Sequence, residues 1–378
     1  MTNSAAPSSS KSIFDGKTVT APLSARLVLD GRTYTNFWGS GYLALSALPE
    51  LHDAVRRVLE QGYPFAQQIP AATGVRYPVM EAVERAAAAA CATEASVYFA
   101  SGYFIGRVGL AAISPAPDLI LLDEFSHYSL REAVTLIGLP TFEFAHCDVD
   151  ALRDLLHREA RPKQRPLVVT DGVFAATGRV PPLEAYAAVL APYGGRMFID
   201  EAHSFGVVGA NGRGAGEYCG VEHIATGGAT LSKALCAQGA FVACTSATAA
   251  RLRMTPCILG ASAGSPLSAA AATASLEYVA AHPELRADLT FKSQYLRAGL
   301  RSLGLVVLES PAPLVSFRLR DGATMLAVQR RVFSQGFCIN YMRSYVGSGT
   351  EGVLRCSVFR DHSREDLDGL ISTIRQVI

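Results

Sequence analysis

Short unbroken apolar runs recur along the middle of this chain. They are SVYFA (96–100), LILLD (119–123), PLVVTDGVF (166–174), RMFIDEA (196–202), IATGGAT (224–230) and GAFVACTS (239–246). Each has the length and texture of a strand buried on both faces. Stretches of helical period separate them. Ser101-Gly102 opens one helix and another follows Ser129; DVDALRDLLHREA (148–160) is amphipathic, and PPLEAYAAVLAPY (181–193) begins on proline. Ahead of the run, VMEAVERAAAAACA (79–92) is a helix by propensity, and RLVLDGRTYTNFW (26–38) alternates like a hairpin around Asp30-Gly31. Strands alternating with helices predict an α/β fold with a parallel, doubly wound sheet, whose ligands bind beyond the carboxyl ends of the strands. Asp123, Asp171 and Asp200 each lie in such a run, at the edge where chemistry is expected.

From about residue 265 the pattern changes. Alanine-rich helix (266–281) leads into a longer helical stretch (283–303). LVVLE, LVSFRLR, FCINY and VLRCSVF read as strands, interrupted by a helix over 323–334, and SREDLDGLISTIRQVI is a closing helix capped by Ser363. The expected division is an N-terminal tail and arm (1–45), a large domain (46–260) and an α+β C-terminal domain (261–378).

Composition narrows the function. With 378 residues, 49% of them hydrophobic, the chain can bury a large core. A net charge of +1 without a basic run recruits neither nucleic acid nor an anionic membrane. No apolar stretch is long enough to span a bilayer. The opening MTNSAAPSSSK is small and polar, which reads as a tail and not as a signal peptide. Eight scattered cysteines form no CxxC pair, so free thiols in a reducing cytoplasm are expected, and no metal site.

Four stretches hold candidate chemistry. FIDEAHSFG (198–206) sets Asp200, Glu201 and His203 at the end of a buried strand, as a metal cluster, a solvated turn or a cofactor clamp. Lys233, in GGATLSKALCAQGAFVA, has no acid within ten positions. It is either a surface lysine or an amine whose pKa burial lowers, suited to Schiff-base chemistry. FASGYFIG (99–106) is a turn between strand and helix, the geometry of a phosphate site or of a plain turn. DEFSHYS (123–129) puts His127 just after a strand.

The order and spacing of these stretches resemble those of the α-oxoamine synthases, which are fold-type I pyridoxal-phosphate enzymes. The resemblance runs from about Asn36 to the C-terminus and is densest in TDGVF…G, DEAHSFGVVGANGRGAGEY and TLSKAL…GAF. It implies a large domain with a mostly parallel seven-stranded sheet and a smaller α+β C-terminal domain. It also implies pyridoxal 5'-phosphate as cofactor and a homodimer with its active site at the interface. Lys233 matches the lysine that binds the cofactor, Asp200 the partner of the pyridine nitrogen, His203 the residue beside the ring oxygen, and His127 the histidine stacked on the ring. Gly102 and Tyr103 match the phosphate turn, with Ser101, Asp171, Thr230 and Ser262 among the cofactor residues. Arg355, in VLRCS, matches the arginine that grips the amino-acid carboxylate; Asn36, Ser40 and Arg76 fall in the substrate-binding group.

The chain departs from the family's pattern in four places, which leaves the core chemistry in place and remodels the acyl-donor side. Ser40 stands where the family has a second asparagine near the substrate, and the stretch AATGVRYPVMEAVE (71–84) is about five residues short, with Met80 in place of a histidine. Ala175 replaces a serine, and Ser126 an asparagine. The resemblance implies decarboxylative condensation of an amino acid with an acyl thioester, on coenzyme A or a carrier protein, to give an α-amino ketone. Another pyridoxal-phosphate reaction on the same frame, or a non-catalytic partner subunit, are the alternatives.

Overall fold

A computed structural model describes residues 12–20, 24–69, 74–261 and 264–378. The polar tail MTNSAAPSSSK and Ser262 lie outside the described residues. The chain opens with the hairpin β1 (Arg26–Leu29) and β2 (Arg32–Asn36), closed by Asp30-Gly31 with positive φ at both residues. α1 (Pro49–Glu60) and α2 (Pro78–Ala90) each start on proline, where no amide hydrogen is needed.

The alternating part follows: β3 (Ala95–Phe99), α3 (Ile105–Leu110), β4 (Leu119–Asp123), α4 (Tyr128–Ile137), β5 (Thr141–Phe144), α5 (Val149–Glu159), β6 (Pro166–Asp171), α6 (Leu183–Leu190), β7 (Arg196–Asp200), α7 (Ala215–Tyr218), β8 (Ala225–Thr230) and β9 (Ala240–Cys244). Seven of these strands form one sheet in the order β3-β9-β8-β7-β6-β4-β5. Only β9 runs antiparallel to its neighbours, β3 and β8. The unbroken apolar runs are explained by this burial: β4 and β6 are buried at every position. Parallel register puts Asp171 of β6 directly beside Asp200 of β7, at the carboxyl edge.

α8 (Ser246–Arg253) packs on β3, with α9 (Pro256–Leu259) beside it; α10 (Pro266–Ala281) packs against α1 and α2, and α11 (Glu284–Arg301) follows. The remainder is β10 (Leu314–Phe317), α12 (Gly322–Ser334), β11 (Phe337–Cys338), β12 (Asn340–Met342), β13 (Val353–Ser357) and α13 (Arg364–Val377). β13 lies between β10 and β12, antiparallel to both, and β11 extends the N-terminal hairpin by pairing parallel to β2. Ser363 and Asp366 form a capping box on α13.

Three expectations need correction. LVVLE (305–309) is not a strand. The carbonyls of Val307 and Leu308 accept from Arg301 and Arg297, so arginine side chains take the place of a ladder partner, and Val306 is 85% exposed. FCINY is two strands in two sheets, β11 and β12, broken at Ile339. PLVVTDGVF leaves the ladder after Asp171. TFEF, passed over in the sequence, forms edge strand β5 and is exposed or half-buried at its first three positions. That edge lacks the continuous apolar signal of its neighbours.

Candidate active site

The carboxyl edge of the sheet gathers the ionisable groups. Asp171 and Asp200 are both buried. Asp171 Oδ2 accepts from the His127 amide at 2.9 Å, and Asp200 Oδ1 from the Ala202 amide at 2.9 Å. The other oxygen of Asp200 has no hydrogen-bond partner among the described residues. Burial raises the pKa of Asp200, against the pull of Lys233 and the Ala202 amide. Asp171 is raised well above the ordinary carboxylate value by burial and then by the charge of Asp200. Lys233, on the turn after β8, faces both. Burial lowers its amine to about 8, with the two aspartates opposing and Arg355 assisting.

Glu201, the middle carboxylate of the cluster, works differently. It accepts from Ser204 Oγ and from the amides of Ala215 at 2.8 Å and Gly216 at 2.9 Å. It therefore pins the turn that carries His203 to the start of α7. Gly214 is required there, because an added Cβ would lie 2.3 Å from Glu201 Oε2.

His203 is buried, and its Nδ1 lies 2.7 Å from the hydroxyl of Tyr42. Burial holds the ring well below the ordinary imidazole pKa, aided by Lys233, Arg355 and His127. His127 caps α4. Its Nδ1 contacts Ser129 Oγ at 2.7 Å, and its ring lies 6.2 Å from that of Tyr345 and 6.4 Å from that of Tyr103. Burial lowers its pKa to about 4, helped by Lys233, so the ring is neutral at neutral pH. Tyr345, in the loop before β13, is pushed up to about 12 by burial and then by Asp171, with Arg355 opposing.

Arg355 enters from β13 and is buried. Nη1 donates to the Ala175 carbonyl at 2.8 Å, while Nε is buried without a partner. No ion pair to it exists among the described residues. A buried guanidinium with an open donor and no internal acid is set up for an external anion.

The Ser101–Tyr103 turn follows β3, with Ser101 Oγ accepting from the Tyr103 amide at 3.3 Å. A Cβ on Gly102 would fall 2.7 Å from Thr230 Oγ1, so only glycine lets the turn approach β8 this closely. Thr230 Oγ1 donates to the Gly239 carbonyl and meets Ser232 Oγ at 2.8 Å.

The other residues singled out by sequence fall elsewhere in the fold. Asn36 is fully buried, with Nδ2 donating to the Ser24 carbonyl and Oδ1 accepting from the Trp38 amide. Ser40 is half-buried in the arm, two residues before Tyr42. Arg76 is half-exposed and pairs with Glu81 at 3.6 Å. Met80 packs into the main core, and Ser126 is buried with an unpartnered hydroxyl. Asp123 turns its carboxylate to His146, Phe125 and Cys147 and stays out of the gathering. The sequence reading passed over Tyr42, Tyr345 and Ser232. Tyr42 had a signal, because it sits among buried apolar residues in GYLAL; Tyr345 lies in a polar, glycine-rich loop and had none.

This arrangement fits pyridoxal phosphate. Two buried carboxylates suit a protonated ring nitrogen, the glycine turn leaves room against Thr230, and Arg355 keeps a donor for a substrate anion. The chain matches the family Aminotransferase class I and II over residues 38–374. It is 31% identical to a putative 8-amino-7-oxononanoate synthase of Desulfovibrio desulfuricans, covering 90% of this chain and 89% of that protein. It is 30% identical to the 8-amino-7-oxononanoate synthase of Geotalea daltonii, over 89% of this chain and 87% of that one. Among solved structures it superposes on the serine palmitoyltransferase of Sphingomonas wittichii with a TM-score of 0.88 and 25% identity, covering 96% and 92% of the two chains. By this match and these relatives, the chain belongs to the aminotransferase class I and II family, in its α-oxoamine synthase branch.

Proposed function

We propose that the protein is a pyridoxal-phosphate-dependent α-oxoamine synthase that joins an amino acid to an acyl thioester. The new carbon–carbon bond forms between the amino-acid Cα and the acyl carbonyl carbon; the thiol and carbon dioxide leave, and an α-amino ketone remains. The observation that carries the reading is a buried-site lysine amine lowered to about 8 between two carboxylates and an arginine with an open donor.

When bound, the cofactor supplies a protonated pyridine ring that takes up the electron pair left as the Cα proton departs. Asp200, through its open oxygen, would hold the proton on the ring nitrogen, and Asp171, which accepts from the His127 amide, would position that imidazole for the cofactor. His203 would donate to the ring's phenolic oxygen. Ser101, Gly102, Tyr103 and Thr230 would receive the phosphate. Lys233 Nζ would hold the cofactor and would take the Cα proton of the substrate; an amine lowered to about 8 is suited to both roles at neutral pH. Arg355 grips the substrate carboxylate. Ser40 and Arg76 belong to the acyl-donor side, and Asn36 serves it by fixing the arm.

A cofactor-binding body over 46–260 and a C-terminal body over 261–378 are supported by the separate seven-stranded and β10-β13-β12 sheets, whereas the arm to residue 45 shares a sheet with β11 of the C-terminal body, and α10 packs on α1 and α2. The functional unit is a cytoplasmic homodimer. All eight cysteines are free, and among the described residues no helix is long and apolar enough to cross a membrane. The test is product analysis with one amino acid, with and without an acyl thioester. Thiol release and an amino ketone formed only when both are present support the reading; keto-acid formation without the thioester overturns it.

A further inference from the structure

Tyr42 is buried to 0% exposure, and its hydroxyl meets one described partner, His203 Nδ1, at 2.7 Å. The arm that carries it is fixed from the C-terminal body. The Arg360 amide donates to the Tyr42 carbonyl at 2.8 Å, the Ser357 hydroxyl to the Gly39 carbonyl at 2.7 Å, and His362 Nε2 lies 2.9 Å from the Asn36 carbonyl. The phenol is thus delivered to the histidine by backbone contacts that do not involve its own hydroxyl.

A phenol and a neutral imidazole nitrogen can share their hydrogen bond in two ways. If Nδ1 carried the proton, the Tyr42 hydroxyl would accept, and its own hydrogen would have no acceptor among the described residues. Burying an unsatisfied donor is unfavourable. Burial also raises the Tyr42 phenol above its ordinary value, so the hydroxyl keeps its proton and donates it. Nδ1 is then the acceptor, and the ring proton sits on Nε2, which has no hydrogen bond among the described residues.

We infer that Tyr42 is a positioning residue that fixes His203 in its Nε2–H tautomer, so that the imidazole presents a donor and not a lone pair to the site. Resting on the proposed cofactor reading, this supplies the hydrogen bond that the ring's phenolic oxygen needs. With the opposite tautomer, two lone pairs would face each other.

The experiment is nitrogen-15 NMR of histidine-labelled enzyme at neutral pH, without and with pyridoxal phosphate, with His203 assigned by His203→Gln. The wild-type spectrum should show an unprotonated Nδ1 and a protonated Nε2 even without cofactor. Tyr42→Phe keeps the ring and the backbone contacts; its spectrum should show both tautomers exchanging, and turnover should fall about fivefold to tenfold, the scale of one neutral hydrogen bond, with amino-acid affinity unchanged. A wild-type proton on Nδ1 overturns the inference, as does a Tyr42→Phe spectrum equal to wild type. Should Tyr42→Phe not fold, the wild-type spectrum decides alone. Because the tautomer is read without cofactor, failure of the cofactor reading would show separately, as absence of visible absorption on adding pyridoxal phosphate.

Discussion

Asp171 and Asp200 stand side by side in register at the ends of β6 and β7, both buried and both with raised pKa. Two carboxylates so placed disfavour each other's charge unless a cation lies between them. Lys233 is one such cation, and a pyridinium is the second that the proposed function brings. Asp200→Asn keeps the Ala202 contact but cannot hold a proton on a ring nitrogen. Turnover should fall roughly 10²-fold or more, as for removal of an electrostatic partner, while cofactor is partly retained; a steady-state rate within about threefold of wild type would make Asp200 a plain turn cap. Lys233 gives a pH test with a definite sign. Only the neutral amine captures an aldehyde, and its folded pKa is lowered to about 8. The rate of cofactor capture by the apoenzyme should therefore rise about tenfold per pH unit below that value and level off above it. Stopped-flow absorbance across pH 6 to 10, by the ordinary lysine value of about 10.4, would show a rise with no plateau if the amine were unperturbed.

At the scale of elements, the site depends on a turn, an arm and a strand that are distant in sequence. The Ser101–Tyr103 turn fits against β8 only because residue 102 is glycine: a Cβ would sit 2.7 Å from Thr230 Oγ1 and 2.8 Å from its Cβ. Gly102→Ala should push the turn off Thr230 and destabilise the protein by about 1–3 kcal/mol, the range for overpacking. Cofactor affinity should fall with it; an unchanged melt and an unchanged pyridoxal-phosphate titration would refute the close approach. The strand runs and the clustering of Asp171 and Asp200 were legible in sequence, since a doubly wound sheet needs continuous apolar strands and its chemistry collects at their carboxyl ends; Asp123 read the same way but turns to His146 and Cys147. β5 was not, because an edge strand buries one face. LVVLE misled for the opposite reason: it is apolar, yet arginine side chains satisfy its carbonyls. Lys233, His127, Asp200 and His203 were singled out by spacing and resemblance, whereas the Tyr42–His203 contact joins positions 161 residues apart and leaves no local trace. The two roles of the acidic pair also needed coordinates: Asp200 keeps an open oxygen, while Glu201 gives its carboxylate to Ser204, Ala215 and Gly216.

The whole molecule closes around this site from three directions. The sheet brings Lys233, Asp200 and His203, the arm brings Tyr42, and β13 of the C-terminal body brings Arg355, whose guanidinium donates across to the Ala175 carbonyl after β6. A ligand gripping Arg355 on one side and the sheet edge on the other should tie these parts together, and linkage makes that measurable. A ligand that binds only the folded state at 100 times its dissociation constant adds about 2.7 kcal/mol of stability, worth a few degrees of melting temperature. Pyridoxal phosphate should raise the melting temperature of the wild type, and a substrate amino acid should raise that of the loaded enzyme further. Arg355→Ala should keep the first increment, because the cofactor residues are untouched. It should lose most of the second, since amino-acid affinity falls by about 1.5–3 kcal/mol with the charged hydrogen bond, roughly tenfold to more than a hundredfold. Thermal melts of the two proteins, each with cofactor and then with amino acid, separate the possibilities. Equal amino-acid increments would mean that Arg355 does not hold the carboxylate. A melt lowered by several degrees before any ligand is added would mean that its contact with Ala175 is chiefly a strut between the sheet and the C-terminal body.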